Sequence, residues 1–269
     1  MLSRDARWRL VDTGPLDGVS NMAIDEALLE AFDPKASDPV FRLYGWSPPA
    51  LSLGRFQDAE AVLDLPLCRG CGVPVVRRIT GGGVIYHADE LTYSIVCQPP
   101  RFPGAAASVD DSYRRMNGFL LAFYRSLGLD AAFAVDAEPP GAPRLGERTI
   151  FCFAGRERCD ILVGGRKIGG NAQRRTRRAL FQHGSIPLSD GVTEGVRFLR
   201  EAPAGLDGSV ADLAMLGISL PAEELKIKLA DAFAGAFGAE LAPSRLTAAE
   251  RERADSLRRQ PPAANCPSS

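Results

Sequence analysis

Three stretches of the chain repeat apolar residues at helical spacing. In residues 20–32, one face carries Ile24, Ala27, Leu28, Ala31 and Phe32, and the opposite polar face carries Asp25, Glu26 and Glu30. A second stretch begins near Ser108 and ends before Gly128, and a third begins near Pro221 and ends before Gly238. Serine or proline at the start and glycine after the end are typical of helix caps. The pattern therefore predicts three amphipathic helices.

Short runs rich in β-branched and aromatic residues lie between these helices and predict strands. Gly164-Gly165 separates two of the runs and is typical of a hairpin turn. Strands and helices do not alternate regularly, so we expect an α+β fold in which helices flank a mixed β-sheet. The predicted strands cover residues 41–44, 51–53, 74–78, 84–86, 91–96, 161–163, 166–168 and 179–184.

The character of the sequence changes after Pro243. We expect one folded domain over residues 1–242 and a charged C-terminal extension over 243–269. Within the extension, residues 247–259 are charged and fit a solvated helix, whereas residues 260–269 have almost nothing to bury and predict a flexible tail.

The composition of the chain argues against several classes of protein. Apolar residues make up 45% of the 269 residues and charged residues 24%, as in ordinary globular proteins. The net charge is 32 − 33 = −1, which argues against a nucleic-acid partner. No apolar run reaches the roughly 18 residues of a membrane span, and the charged start does not resemble a signal peptide. We therefore expect a cytoplasmic protein whose six cysteines are free thiols.

A glycine-rich segment with two arginines is the first candidate site. Arg77 and Arg78 precede Thr80 and three glycines, and His87 follows. Glycines let the backbone approach a ligand, and arginines favour an anionic or carbonyl-rich one. A plain hairpin with solvated arginines fits the same pattern. The segment matches neither a Walker loop nor a dinucleotide fingerprint.

A lysine and a cysteine form the second candidate. Lys167 lies in a predicted strand between the glycine pairs at 164–165 and 169–170. Such a lysine can direct a cation at a carbonyl oxygen, although most lysines are simply exposed. Cys152 lies between two phenylalanines, which suits a core residue as well as a nucleophile. Cys159 is the rival nucleophile, because it is nearer to Lys167 and two arginines lie beside it.

Two further patterns have plain alternatives. Cys68 and Cys71 could be half of a zinc site or a redox pair, but no second Cys-x-x-Cys follows, which favours a structural pair and no metal. Four arginines between residues 174 and 178 fit either a solvated loop or a docking patch for acidic carrier proteins.

Taken together, these segments resemble the lipoate-protein ligase and octanoyltransferase family, which shares its catalytic domain with biotin-protein ligases. The likeness covers roughly residues 8–240 and includes Asn-Met-Ala-Ile-Asp-Glu-Ala at 21–27 and Gln-His-Gly-Ser-Ile at 182–186. It implies that residues 1–242 form the biotin/lipoate ligase-like catalytic domain. The substrate-binding residues that it implies are Arg77, Arg78, Thr80, Gly81, Gly82, Gly83, His87, Gly170, Asn171, Ala172, His183 and Gly184.

The resemblance is greatest to the cysteine-dependent octanoyltransferase branch. It implies that Cys152 takes octanoate from octanoyl-acyl carrier protein as a thioester and passes it to a lysine of a lipoyl domain, such as the glycine-cleavage H protein. Lys167 would favour the thiolate and stabilise the oxyanion, without a cofactor. Gly83, however, resembles the ligases, which leaves open an ATP- and Mg-dependent lipoate ligase. The same motifs are compatible with an amidotransferase acting between lipoyl domains and with a non-catalytic lipoyl-domain binder.

Overall fold

The computed structural model describes residues 7–99, 109–137, 150–153, 155–203, 206 and 208–260. The strands are β1 (Arg7–Leu16), β2 (Val40–Trp46), β3 (Ala50–Leu53), β4 (Val75–Arg77), β5 (Ile85–His87), β6 (Glu90–Cys97), β7 (Ala131–Phe133), β8 (Ile161–Val163), β9 (Arg166–Ile168), β10 (Gly170–Arg175), β11 (Leu180–Pro187), β12 (Val210–Ala211) and β13 (Glu240–Ser244). The helices are α1 (Gly18–Ala31), α2 (Ala59–Val62), α3 (Leu65–Gly70), α4 (Val109–Ser126), α5 (Ala134–Ala137), α6 (Gly191–Gly195), α7 (Ala222–Phe237) and α8 (Ala248–Arg258).

Three sheets organise these elements. A six-stranded sheet has the order β10-β11-β6-β2-β1-β13, with β1 parallel to both of its neighbours and the remaining pairs antiparallel. A four-stranded sheet has the order β12-β9-β8-β7, and a three-stranded sheet has the order β4-β3-β5. The mixed sheets with flanking helices confirm the predicted α+β class.

Helices cover both faces of the six-stranded sheet. Neighbouring residues of a strand point to opposite faces, so they contact different helices. Phe41 of β2 packs with Phe119 of α4 and Phe233 of α7. Val40, one residue earlier, belongs to a second cluster that includes Leu28 of α1 and residues of α8. No helix among the described residues combines the length and apolar character needed to cross a membrane.

The predicted helices and strands are confirmed with small shifts of their ends. The caps at Pro221 and Gly238 bound α7 as expected, and Gly164-Gly165 forms the β8–β9 turn. Strands β1, β7, β10, β12 and β13 were not predicted. The predicted helix start at Ser108, the last nine residues of the predicted tail and Cys266 lie outside the described residues.

The structure differs from the sequence-based expectation at Asp25 and at helix α8. The expectation that Asp25 lies on a solvent-exposed polar face of α1 is wrong, because its side chain is 1% exposed. Helix α8 does not stand apart from the fold: it packs on α1, and its Glu250 binds Arg9 of β1 at 2.6 Å. Thr247 and Glu250 close a capping box at its start. The domain boundary at 242 runs through β13 and stays a prediction.

Candidate active site

The Cys152 segment is held between two buried phenyl rings. Phe151 bridges to Val84, and the backbone N–H of Cys152 donates to the Val84 carbonyl at 3.1 Å. The rings of Phe151 and Phe153 are buried in one apolar cluster with strands β3 and β5. Because both neighbours are anchored, the half-buried thiol between them has a defined position.

Lys167 fixes this segment from the adjacent strand β9. Its ammonium donates to the carbonyls of Cys152 at 2.8 Å and Gly155 at 3.0 Å, and it pairs with the Asp160 carboxylate at 2.7 Å. Burial lowers the pKa of Lys167, but Asp160 and the nearby Cys152 together raise it above its usual value. An ammonium has three protons, so all three donors of Lys167 have acceptors.

Arg78 lines the same pocket as Cys152 and is not saturated. Nη1 donates to the Ser52 carbonyl at 2.9 Å, and Nη2 donates to the carbonyls of Gly81 at 2.8 Å and Gly83 at 2.7 Å. Its buried Nε has no hydrogen-bond partner among the described residues. Burial lowers the pKa of Arg78 to about 10, and a Cys152 thiolate would act in the opposite direction. The guanidinium is therefore charged at neutral pH.

Close packing explains the glycines in the turn at residues 81–83. A Cβ on Gly83 would lie 2.7 Å from the Cys152 nitrogen and 2.8 Å from the Ile150 carbonyl oxygen. Gly82 has a φ of +93°, which favours glycine, and its carbonyl would meet a Cβ on Gly54 at 2.0 Å. Packing against the cysteine segment thus accounts for Gly83 without any nucleotide.

The start of β10 forms the opposite wall. A Cβ on Gly170 would lie 3.1 Å from the Cys152 sulfur, so the thiol rests against this glycine. The Asn171 side-chain oxygen accepts from the Tyr93 hydroxyl at 2.6 Å. Gly184, the β11 partner of Asn171, leaves room for that side chain, because a Cβ there would lie 2.1 Å from its oxygen.

His87 stacks on Trp46, with ring centroids 3.8 Å apart. Its Nδ1 donates to Glu90 at 2.8 Å, and Nε2 lies 2.7 Å from the Ser52 hydroxyl. Burial alone raises the pKa of Glu90, but His87, Ser185 and Thr92 lower it below its usual value. A continuous polar chain thus joins Glu90 to Arg78 through His87 and Ser52.

His183 joins the glycine turn to a buried network on α1. Nε2 contacts the Thr80 hydroxyl at 2.7 Å, and Nδ1 contacts Asp25 at 3.3 Å. Asp25 also binds Arg42 at 2.7 Å, and although burial raises the pKa of Asp25, the Arg42 charge contributes to a net decrease. Burial lowers the pKa of His183, which favours the neutral ring. Nδ1 is the donor of that ring to Asp25, because an ionised carboxylate can only accept.

These walls line a pocket with a cavity volume of about 40 Å³ that is partly open to solvent. The predicted site residues that line it are Arg78, Gly82, His87, Cys152, Gly170, Asn171, Ala172, His183 and Gly184. Arg77, Thr80, Gly81, Gly83 and Lys167 do not line it, although Thr80, Gly81 and Lys167 hydrogen-bond to His183, Arg78 and Cys152, which do. Arg77 donates from Nη1 to the carbonyls of Gly54 at 3.0 Å and Gln57 at 2.7 Å.

Several lining residues were absent from the sequence prediction: Met22, Tyr44, Trp46, Ser52, Ile85, Thr92 and Ser185. Asp160, the partner of Lys167, was also missed. Single apolar and hydroxyl residues on strands carry no signal of their own, because the pocket arises where separate sheets meet. Asp25 belongs to the motif at residues 21–27. Its buried ion pair, however, depends on Arg42 in β2, which lies outside that motif.

The other four cysteines of the described residues lie outside the pocket lining. Cys159 donates to the Asp110 carbonyl at 3.5 Å, and burial raises the pKa of its thiol to about 11. Burial also raises the pKa of Cys68, whereas Cys71 is exposed and contacts Arg197. Within the described part of the chain, no three histidine, cysteine or acidic residues are grouped as metal ligands.

Sequence comparison assigns this architecture to a known class. The model of the lipoyl protein ligase A/B catalytic domain matches residues 17–234. The chain therefore belongs to the lipoyl protein ligase A/B catalytic domain family. Among its relatives, a protein from Kyrpidia tusciae named octanoyltransferase LipM is 39% identical over 93% of this chain and 94% of its own. Another of the same name, from Symbiobacterium thermophilum, is 38% identical over 94% of each chain.

Solved structures support the fold. The protein Ta0514 from T. acidophilum, a putative lipoate protein ligase with bound lipoic acid, superimposes with a TM-score of 0.75 at 24% identity over 94% of both chains. A lipoate-protein ligase A bound with ATP gives 0.77 at 23% identity over 97% of both chains. At these identities the likeness concerns the fold alone.

Proposed function

We propose that this chain is an octanoyltransferase that carries the acyl group on Cys152. The relatives named octanoyltransferase match it over nearly their whole length. The observation that carries the proposal is the position of Cys152, a thiol in the pocket wall with the charged Arg78 and Lys167 within electrostatic reach. The thiolate is the form of cysteine that attacks carbonyl carbon.

In the first half-reaction, the Cys152 thiolate attacks the thioester carbon of octanoyl-acyl carrier protein. The carbonyl oxygen becomes an oxyanion, and the unpartnered Nε–H of Arg78 is the donor that we assign to it. The bond from the acyl carbon to the donor's thiol sulfur then breaks. That sulfur leaves as a thiolate and takes a proton from water, and octanoate remains on Cys152.

In the second half-reaction, the neutral amine of an acceptor lysine attacks the Cys152 thioester. The acceptor is a lipoyl domain, such as the glycine-cleavage H protein. The new C–N bond forms an amide, the C–S bond to Cys152 breaks, and the amine proton passes to water. No ATP is needed, because the acyl group is already activated as a thioester.

Lys167 serves as a positioning residue in this scheme. Its protons are taken by Asp160 and by two carbonyls of the cysteine segment, so it holds the nucleophile and adds charge without contacting the acyl group. This differs from the sequence-based expectation that Lys167 itself stabilises the oxyanion.

Intact-protein mass spectrometry tests the proposal. After mixing with octanoyl-acyl carrier protein and no ATP, the protein should gain one octanoyl group, which peptide mapping should find on Cys152. Cys152→Ala should abolish both the gain and transfer to a lipoyl domain, whereas the matched control Cys159→Ala should retain them. Wild-type transfer by Cys152→Ala, or a requirement for ATP and free lipoate, would refute it.

A further inference from the structure

An exposed aromatic side chain lies close to the pocket. Phe56 is 85% exposed, the highest value among the large apolar side chains of the described residues. The guanidinium of the exposed Arg55 lies 5.5 Å from its ring centroid. Phenylalanine in such a position adds nothing to the core, and aromatic and arginine residues are enriched at protein interfaces.

The turn that carries Phe56 is rigidly braced. Arg77 donates to the carbonyls of Gly54 and Gln57, and the Gln57 side-chain oxygen accepts from the Gly54 nitrogen at 2.9 Å. The Arg55 nitrogen donates to the Thr80 carbonyl at 2.8 Å. A pre-ordered contact surface binds more tightly, because less conformational freedom is lost on association.

This turn adjoins both the glycine wall and the nucleophile. Gly54 packs directly against Gly82, which lines the pocket. The Gln57 side chain donates to the carbonyl of Ile150 at 2.8 Å. Ile150 is itself 40% exposed and lies two residues before Cys152. Phe56 and Ile150 are thus exposed apolar residues on two hydrogen-bonded segments that adjoin the pocket wall.

The surrounding charge is mixed, because Arg55 is exposed beside Phe56 and the nearby Asp58 and Glu60 are exposed as well. Burial and the neighbouring Glu30 raise the pKa of Glu26 on α1, and Arg174, Arg253 and Arg55 act against this increase. Arg55 and Arg174 thus both act on the Glu26 carboxylate. The exposed Arg55 beside Phe56 can pair with a carboxylate of a docked protein.

We propose that Arg55, Phe56 and Ile150 form a docking surface for the acceptor lipoyl domain. This rests on the proposed function. The donor presents its acyl group on a long pantetheine arm, so its protein surface can remain at a distance. The acceptor must reach Cys152 with a lysine, whose stem has four carbons. Its backbone has to approach the Cys152 segment, which Ile150 precedes by two residues and the Phe56 turn contacts through Gln57.

Separate half-reactions test this surface. Enzyme already acylated on Cys152 is mixed with a lipoyl domain or with hydroxylamine, a small nucleophile that needs no docking. Phe56→Ala should raise the KM for the lipoyl domain roughly tenfold, a typical effect for an interface anchor, with kcat nearly unchanged. Its reaction with hydroxylamine and its acylation by octanoyl-acyl carrier protein should match wild type. The matched control Ile227→Ala, which removes a 63% exposed side chain of α7, should change neither step.

Three results would overturn the docking surface: an unchanged KM, an equal loss with hydroxylamine, or a loss confined to acylation by the donor. Titration of an unacylated lipoyl domain into the enzyme, followed by NMR, adds a readout that does not depend on catalysis. Phe56→Ala and Arg55→Ala should both weaken this binding. If Cys152 never becomes acylated, the proposed function fails, and the titration still decides whether the surface exists.

Discussion

Two buried cations flank the Cys152 segment, and their surroundings differ. Lys167 comes from the four-stranded sheet, pairs with Asp160, and has an acceptor for each of its protons. Arg78 directly follows the three-stranded sheet, donates to backbone carbonyls and Ser52, and leaves its buried Nε without a partner. No carboxylate is among its hydrogen-bond partners in the described part of the chain.

The difference separates two tasks that a single cation is often assumed to perform. A buried charge is stable when it is paired and hydrogen-bonded, so the saturated Lys167 is suited to hold a segment in place. A buried donor without an acceptor is costly, and it becomes satisfied when negative charge forms beside it. We therefore assign the reacting oxygen in the proposed reaction to Arg78 rather than to Lys167.

The largest effect should come from Arg78→Lys, which keeps a charge but loses the fixed fork of donors. We expect acylation of Cys152 to slow by roughly 10²- to 10³-fold, the usual loss when an oxyanion donor is removed. Rapid-quench mass spectrometry of the acyl-enzyme measures this rate.

Iodoacetamide separates carbonyl stabilisation from thiolate formation, because alkylation creates no oxyanion. In Arg78→Lys, alkylation of Cys152 should slow much less than acylation. Arg77→Lys controls for loss of backbone bracing, since Arg77 also donates to several carbonyls but lies outside the pocket lining. Equal acylation losses in both variants would show that Arg78 only supports the turn.

A smaller catalytic effect is expected at Lys167. Lys167→Met leaves the Asp160 carboxylate buried without its ammonium, so the free energy of unfolding should fall by about 3–5 kcal/mol. Urea denaturation measures that loss. Adding Asp160→Leu should recover much of the stability, because a packed apolar pair often replaces a buried ion pair without net cost.

The activity of this double variant tests the positioning role. If Lys167 acts by holding the Cys152 carbonyl, acylation should remain slow after stability is restored, yet faster than in Arg78→Lys. A stable double variant that acylates more slowly than Arg78→Lys would instead indicate direct contact between Lys167 and the substrate.

Much of the fold could be read from the chain because its signals are local. The caps of α7 at Pro221 and Gly238 and the Gly164-Gly165 turn depend on a few neighbouring residues. Strand β1 was missed, because its residues are mostly only half-buried and it is defined by parallel pairing with β2 and β13, which are distant in sequence.

The site shows the same limit. Arg78 and Lys167 could be selected because their residue types and glycine neighbours suggest chemistry, whereas Cys152 was preferred to Cys159 mainly on the family resemblance. The different roles of the two cations could not be predicted from the sequence, because they depend on Asp160 and on the carbonyls around each cation. Those contacts are set by how the three sheets meet.

The smallest predicted effect moves the sulfur without altering either cation. In Gly170→Ala, the new methyl would lie 3.1 Å from the Cys152 sulfur, which must shift by a few tenths of an ångström. Acylation should slow several-fold with little change in melting temperature. Gly118→Ala in α4 is the control, because a Cβ there meets no atom within 4 Å. An unchanged rate for Gly170→Ala would mean that the distance from the thiol to Arg78 is not critical, and the contrast between the two cations would lose its catalytic meaning.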